Sequence, residues 1–128
     1  MELKVDVVPK AQGVYVVQPA GSLNSSTFAI LDKEVDAILA TSPNLLVLDL
    51  ERLEYLSSAG LRVILKAREA LKKKGGRLVF MNLQPQIRKV FDIVSALPSM
   101  QIFKSLEELD DYLDVMQKKV KSGAAPDA

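Results

Sequence analysis

Two adjacent hydroxyl side chains, Ser57 and Ser58, stand between a run of aliphatic residues and an amphipathic stretch. The aliphatic run, Leu45 to Leu50, is typical of a buried strand, and the residues after the serines have the apolar spacing of a helix. Backbone N–H groups at the start of a helix lack intrahelical partners, and the helix dipole is positive there. Such a position can hold an anion, including a phosphate carried by the protein itself. Ser58 is therefore either a simple helix cap or an acceptor for a phosphoryl group.

The composition narrows the chemistry that this chain can perform. None of its 128 residues is cysteine or histidine, which argues against disulfides, thiol catalysis, histidine-based triads and zinc sites. The 17 basic and 16 acidic side chains nearly balance, so no overall field favours nucleic acid or an anionic membrane. No apolar run approaches the roughly 20 residues that span a bilayer. We predict a cytoplasmic protein that is not an enzyme and that binds no metal or cofactor.

Strand-like and helix-like segments alternate along the chain. Strands are predicted at about 3–8, 14–18, 45–50, 78–81 and 101–103, and helices at about 27–42, 58–74, 85–97 and 105–117. This alternation predicts one α/β domain with a mixed, mostly parallel sheet of four to five strands and about four helices. The domain is expected to cover residues 1–117, and residues 118–128 are expected to form a disordered tail.

In an open α/β sheet, the loops that follow neighbouring strands meet at one edge, and ligands gather there. The loop after the second strand and the start of the second helix should therefore form one contact face. Its predicted members are Ser22, Asn24, Ser25, Ser58, Gly60 and Arg62. Asn24 and Ser25 could instead cap the first helix, and Arg62 could be a solvated helix residue. Gly60 permits either close packing against a neighbouring loop or the close approach of a partner.

Asp49 ends the aliphatic run and is expected to accept hydrogen bonds from nearby loop amides. Shortly after it comes Tyr55-Leu56-Ser57-Ser58-Ala59-Gly60-Leu61, and Gly21-Ser22-Leu23-Asn24 precedes the first helix. These motifs and the order of the elements, from about Leu3 to Leu113, resemble the STAS domain of bacterial anti-sigma factor antagonists. In that family the helix-opening motif usually reads Asp-Ser-Ser-Gly-Leu or Asp-Ser-Ala-Gly-Leu.

The resemblance implies that Ser58 is the phosphoacceptor, with Ser57 as the alternative, and that Asp49 braces the loop leading to them. Gly21 to Asn24 would contribute to the partner-binding surface. Two departures stand out, because Ser57 and Asn24 each occupy a position where the family usually has aspartate. Both changes remove a negative charge beside the expected site.

The function that the resemblance implies is an interaction switch. The unmodified domain would bind an anti-sigma factor with a histidine-kinase-like ATPase fold and so release a sigma factor. Phosphorylation of Ser58 by that partner would end binding, and a PP2C-type phosphatase would restore it. We expect a monomer that neither binds nucleic acid directly nor inserts into a membrane.

Two other functions stay open. In the first, the domain is an accessory subunit of a membrane lipid or anion transport system and is not phosphorylated. In the second, it is an enzyme or small-ligand binder that uses the helix start as an anion site. The sequence shows no convergent acid–base pair for such an enzyme.

Overall fold

The computed structural model describes residues 2–96 and 105–123, which form five strands and four helices. The strands are β1 (Leu3–Ala11), β2 (Val14–Leu23), β3 (Leu45–Asp49), β4 (Leu53–Leu56) and β5 (Arg77–Met81). The helices are α1 (Phe28–Leu39), α2 (Ser58–Lys73), α3 (Pro85–Ala96) and α4 (Leu106–Lys121). The predicted strand Gln101–Phe103 lies outside the described residues.

The five strands form one mixed, mostly parallel sheet, as predicted. β1 and β2 form the expected antiparallel hairpin, and the remaining pairings (β2 with β3, β3 with β5, β2 with β4) are all parallel. Helices α1 and α2 cross between parallel strands and contact each other, whereas α3 packs on α4 and against β4. The carboxyl ends of β2 and β4 therefore lie side by side, immediately before α1 and α2.

β2 is longer than predicted, and the segment predicted as a loop after β3 contains the additional strand β4. The first half of β2 pairs with β3 through Val14–Val17, and its last three residues pair with β4. The second strand was predicted to end at residue 18, before Pro19, and this was wrong. Pro19 lies between the part of β2 that pairs with β3 and the part that pairs with β4. Its missing N–H therefore removes no hydrogen bond on that edge.

The other edge of β4 is covered by side chains. Gln117 of α4 accepts the N–H of Leu56 through Oε1 at 2.9 Å and donates Nε2 to the carbonyl of Leu56 at 2.8 Å. Gln86 of α3 donates to the carbonyl of Glu54 at 3.2 Å. Both glutamines are buried, with 1% and 3% of their surface exposed. They satisfy backbone groups that a neighbouring strand would otherwise have to satisfy.

One apolar core joins the sheet to all four helices, and Leu23, Leu53 and Leu56 in it are fully buried. The predicted apolar stripes mostly face this core. Two of their members do not, since Phe28 of α1 and Leu65 of α2 are 38% and 37% exposed. Each lies at the edge of its stripe, where a helical residue reaches solvent.

α4 begins at the predicted cap and ends later than predicted. Ser105 Oγ accepts the N–H of Glu108 at 3.1 Å, so the cap is confirmed. The helix continues to Lys121, so the predicted start of the tail at residue 118 falls inside it. Lysines in its last turn interact favourably with the negative end of the helix dipole. Lys118 also forms an ion pair with Asp114 at 2.9 Å. The remaining division of the chain into domain and tail stays a prediction.

Candidate functional site

The two serines have different structural roles at the start of α2. Ser57 is the N-cap: its backbone is extended, and its Oγ accepts the N–H of Gly60 at 3.4 Å. The N–H of Ser57 donates to the carbonyl of Leu23 at 2.9 Å, so the pairing of β4 with β2 holds the cap in its extended conformation. Ser58 is the first residue of the helix. The interpretation of Ser58 as the cap was therefore wrong, and Ser57 has that role.

Ser58 is held by a carboxylate from α4 that the sequence analysis did not identify. Asp110 accepts the backbone N–H of Ser58 through Oδ1 at 2.7 Å and the hydroxyl of Ser58 through Oδ2 at 2.9 Å. Asp110 thus occupies the position at which the start of a helix favours an anion. Ser58 is buried, with 9% of the residue exposed, and Asp110 is one of the side chains that cover its hydroxyl.

A sequence signal for Asp110 exists, although it is weak. Asp110, Asp114, Gln117 and Lys121 follow one another at intervals of four, three and four residues, which places them on one side of a helix. This polar stripe runs beside the apolar stripe that includes Leu109. Polar residues at helical period next to the core are candidates for specific contacts. Their partners could not be read from the sequence, because Ser58 lies 52 positions away from Asp110.

Tyr55 lies beside the same part of α4 and keeps its proton. Burial and the charges of Asp114, Asp110 and Asp111 together raise the pKa of Tyr55 to about 12. The hydroxyl also forms a hydrogen bond with Asp114. Between Tyr55 and α4 runs an open groove of about 390 Å³, whose lining includes Ser22 and Asn24. The lining of this groove carries charges of both signs, with Glu54 and Asp114 beside Lys118 and Lys121.

The end of β2 meets the start of α2, because the carbonyl of Leu23 accepts the N–H of Ser57, and the loop between β2 and α1 follows directly. Asn24 Oδ1 accepts the N–H of Ser26 at 2.8 Å and the N–H of Thr27 at 3.1 Å. Thr27 Oγ1 donates to the carbonyl of Ser22 at 2.7 Å. Asn24 is half-buried and Ser25 is exposed, whereas Ser22 is 4% exposed. Asn24 thus fixes the turn before α1, and the N-cap residue of that helix is Thr27.

Gly60 is packed closely against side chains of the core. A Cβ at this position would lie 2.5 Å from Cγ of Leu23 and 2.9 Å from Cδ1 of Leu56. Of the two alternatives for Gly60, close packing is therefore confirmed. Neighbouring side chains bury Gly60, and its assignment to the partner-binding surface stays a prediction. The glycine lets the first turn of α2 approach the ends of β2 and β4.

Arg62 is exposed on α2, and an apolar surface lies beside it. Lys66 of α2 and Asp32 of α1 form an ion pair at 2.9 Å, which joins the two helices. Arg62 and Phe28 each lie one helical turn before a member of this pair, at the end of the helices near Ser58. We call Ser25, Phe28, Arg62 and Leu65 the α1–α2 surface. It combines a cation with two exposed apolar side chains.

Asp49 braces the turn between β3 and β4, which is the first part of the segment that leads to Ser58. Asp49 is 7% exposed and accepts hydrogen bonds from Gln18 and Asn82 at 3.1 Å and from the N–H of Glu51 at 3.2 Å. Burial raises the pKa of Asp49, but these hydrogen bonds and the nearby charge of Arg52 together hold it below its ordinary value. The carboxylate thus fixes the turn between β3 and β4, and β4 separates it from Ser58.

This pKa shift gives the first testable prediction, which concerns Asp49→Asn. A lowered folded-state pKa means that the charge of Asp49 stabilises the fold above the unfolded-state pKa of about 3.9. That stabilisation is lost as the pH falls through the lower folded-state value. We expect the wild type to be more stable than Asp49→Asn at pH 5–7, and the difference to shrink below about pH 4. Urea unfolding between pH 2.5 and 7 measures it, and a pH-independent difference would contradict the prediction.

Residues 2–96 and 105–123 contain neither a cluster of metal ligands nor a membrane-spanning helix. No group of three or more acidic side chains there could hold a metal ion. No helix in the same ranges is long and apolar enough to cross a membrane.

Comparisons with known proteins agree with this architecture. A family model of the STAS domain matches residues 7–109. The chain is 36% identical over 107 residues to BtrV of Bordetella bronchiseptica, named an anti-sigma factor antagonist, and the match covers 84% of this chain and 90% of BtrV. The crystal structure of an anti-sigma factor antagonist from Mycobacterium paratuberculosis superposes with a TM-score of 0.65 at 28% identity, covering 91% of this chain and 95% of that one.

The fold is also that of the anti-sigma factor antagonist SpoIIAA in its unphosphorylated form. The TM-score is 0.61 at 20% identity, and the superposition covers 70% of this chain and 83% of SpoIIAA. A second structure of SpoIIAA, in the phosphorylated form, gives the same TM-score of 0.61 and covers 71% of this chain and 83% of SpoIIAA.

Proposed function

Because this chain belongs to the STAS domain family, we propose that it is an anti-sigma factor antagonist that phosphorylation of Ser58 switches off. It is a regulatory binding protein and not an enzyme. Unmodified, it would bind an anti-sigma factor with a histidine-kinase-like ATPase fold in the cytoplasm, and a sigma factor would be released. A PP2C-type phosphatase would reverse the modification, and the antagonist would act as a monomer.

The observation that carries this proposal is the position of Ser58. Its hydroxyl stands at the first residue of α2, buried with 9% of the residue exposed and bonded to Asp110, and the α1–α2 surface begins one turn further along the helix. A partner that covers this surface would lie against Ser58. Arg62 suits an acidic group on that partner, and Phe28 and Leu65 would supply apolar contact.

The modification itself needs only groups that such a partner supplies. Ser58 Oγ would attack the γ-phosphorus of ATP held by the anti-sigma factor, the bond from that phosphorus to the β,γ-bridging oxygen would break, and ADP would leave. The hydroxyl proton would pass to a base of the partner. In the structure this proton points at Asp110 Oδ2, so Asp110 must turn away before the transfer.

Phosphorylation would act on binding through charge. It adds about −1.5 to −2 charges at neutral pH. At a close contact, a new dianion brings both repulsion from acidic groups and a cost of desolvation, together several kcal/mol in order of magnitude. The start of a helix tolerates negative charge. We therefore expect the complex to dissociate while the domain stays folded.

The test is transfer of phosphate from ATP to the full chain. The protein is incubated with ATP and an ATPase-type anti-sigma factor from the same organism, and the phosphate is mapped by mass spectrometry. We expect phosphate on Ser58, loss of at least about 90% of the incorporation in Ser58→Ala, and little change in the control Ser42→Ala, an exposed serine outside the α1–α2 surface. Phosphate on Ser57 alone would show that Ser57 is the acceptor in place of Ser58. Phosphate on neither serine would contradict the switch, and co-purification with a transport permease would then favour the transport alternative.

A further inference from the structure

We propose that α4 is a latch that responds to the charge on Ser58, and that Asp110 is the residue that releases it. The proposal rests on the proposed function, because phosphorylation is the event that would place a charge on Ser58. It concerns what happens inside this chain after that event. The prediction is that the first two turns of α4 separate from the start of α2.

The latch is a row of polar contacts between α4 and residues 54–58. Lys121 pairs with Glu54 at 3.4 Å, Gln117 binds both backbone groups of Leu56, and Asp110 binds Ser58. The helix therefore runs antiparallel to this segment. Residues 110–121 of a helix span about 16 Å, and residues 54–58 span about 13 Å when extended. The row thus covers the segment from end to end, and Asp110 is its contact at the N-terminal end of α4.

The contact of Asp110 with Ser58 cannot survive phosphorylation in its present form. The carboxylate accepts two hydrogens, one from the backbone N–H and one from the hydroxyl. Phosphorylation removes the hydroxyl hydrogen and places a dianion where Oδ2 now lies. The phosphate would also compete for the N–H of Ser58, because the start of a helix attracts either anion. Asp111 and Asp114 on the same helix add to the repulsion.

The rest of α4 has reasons to stay in place. Leu113 and Met116, which follow the first two turns, are buried against the core, and Gln117 is 1% exposed with both of its backbone contacts made. Separation should therefore be confined to the turns before Gln117. The domain would open locally at α4 and would not unfold.

Hydrogen exchange measured by mass spectrometry on the full chain tests the latch without any kinase. We expect Ser58→Glu to speed exchange in residues 109–114 at least about tenfold, because the new carboxylate repels Asp110. Asp110→Ala should do the same without any change at Ser58. Asp110→Asn should remain protected, since an amide can still accept the N–H and pair with the hydroxyl. The double variant Ser58→Glu, Asp110→Asn should regain protection, because the amide can donate to the new carboxylate.

Gln12→Glu is the matched control, since it adds the same charge in the exposed turn between β1 and β2, and it should leave exchange in α4 unchanged. The proposal is overturned if Ser58→Glu and Asp110→Ala both leave residues 109–114 protected, or if Asp110→Asn does not restore protection to Ser58→Glu. Should Ser58→Glu fail to fold, the comparison of Asp110→Ala with Asp110→Asn decides. If Ser58 is phosphorylated but exchange in residues 109–114 does not change, the latch is rejected and the switch is kept. If the variants change exchange as expected but no phosphate is transferred, the switch is rejected and the latch is kept.

Discussion

Replacing Gln117 with leucine should lower the free energy of unfolding by roughly 2–5 kcal/mol. The leucine removes both hydrogen bonds to Leu56 and leaves its N–H and carbonyl buried without partners. Each unsatisfied buried group costs about 1–3 kcal/mol. The side chain is 1% exposed, so water cannot easily replace the amide. Urea-induced unfolding followed by circular dichroism measures the loss.

Lys118→Leu is the control for Gln117→Leu, because it makes a similar change at the next residue of the same helix. The Lys118 side chain is 76% exposed and pairs only with Asp114 among the ion pairs described. Surface ion pairs of this kind are worth about 0–1 kcal/mol. If the two variants lose equal stability, the glutamine contacts do not anchor α4.

Gly60→Ala is expected to cost roughly 1–3 kcal/mol of folding stability. The added methyl would lie 2.5 Å from Cγ of Leu23 and 2.9 Å from Cδ1 of Leu56, and both leucines are fully buried. Overpacking of a core typically costs about 1–3 kcal/mol, and the better helix propensity of alanine offsets at most about 1 kcal/mol of it. Thermal and urea unfolding of the variant check this loss.

A double-mutant cycle separates crowding at Gly60 from other causes. Leu23→Ala opens space where the new methyl would go, so the double variant Leu23→Ala, Gly60→Ala should be more stable than the sum of the single losses implies. The coupling expected for groups in contact is about 0.5–3 kcal/mol. Strict additivity would mean that Leu23 does not restrict position 60.

Local patterns were enough to predict most of the fold. Apolar periodicity placed all four helices, and the spacing of Ser105 and Glu108 predicted the cap of α4. β4 was missed because its four residues follow a turn and carry charge at Glu54. Its strand conformation comes from pairing with β2, which is a tertiary contact. β2 was likewise predicted to end before Pro19, because proline usually interrupts a strand. The strand continues through Pro19 because this residue lies between the segments that pair with β3 and with β4.

The parts of the site that depend on local sequence and on the order of the strands could be predicted. Ser58 at the start of α2 and the approach of Asn24 both follow from the order of strands. The contact of Ser58 with Asp110 does not, because it depends on how α4 packs after α3. Gly60 shows the same limit, since only the positions of Leu23 and Leu56 decide between a packing role and an open surface.

Gln86 and Gln117 have a further consequence for how this molecule can associate. Backbone groups of Glu54 and Leu56 are occupied by their amides, so no peptide strand from another molecule can add to the sheet there. At this edge of the sheet, partners must instead use helical faces and loops. A chain that lost α4 would expose backbone groups of Leu56 and become a template for intermolecular β-pairing, so truncation before Gln117 should promote aggregation.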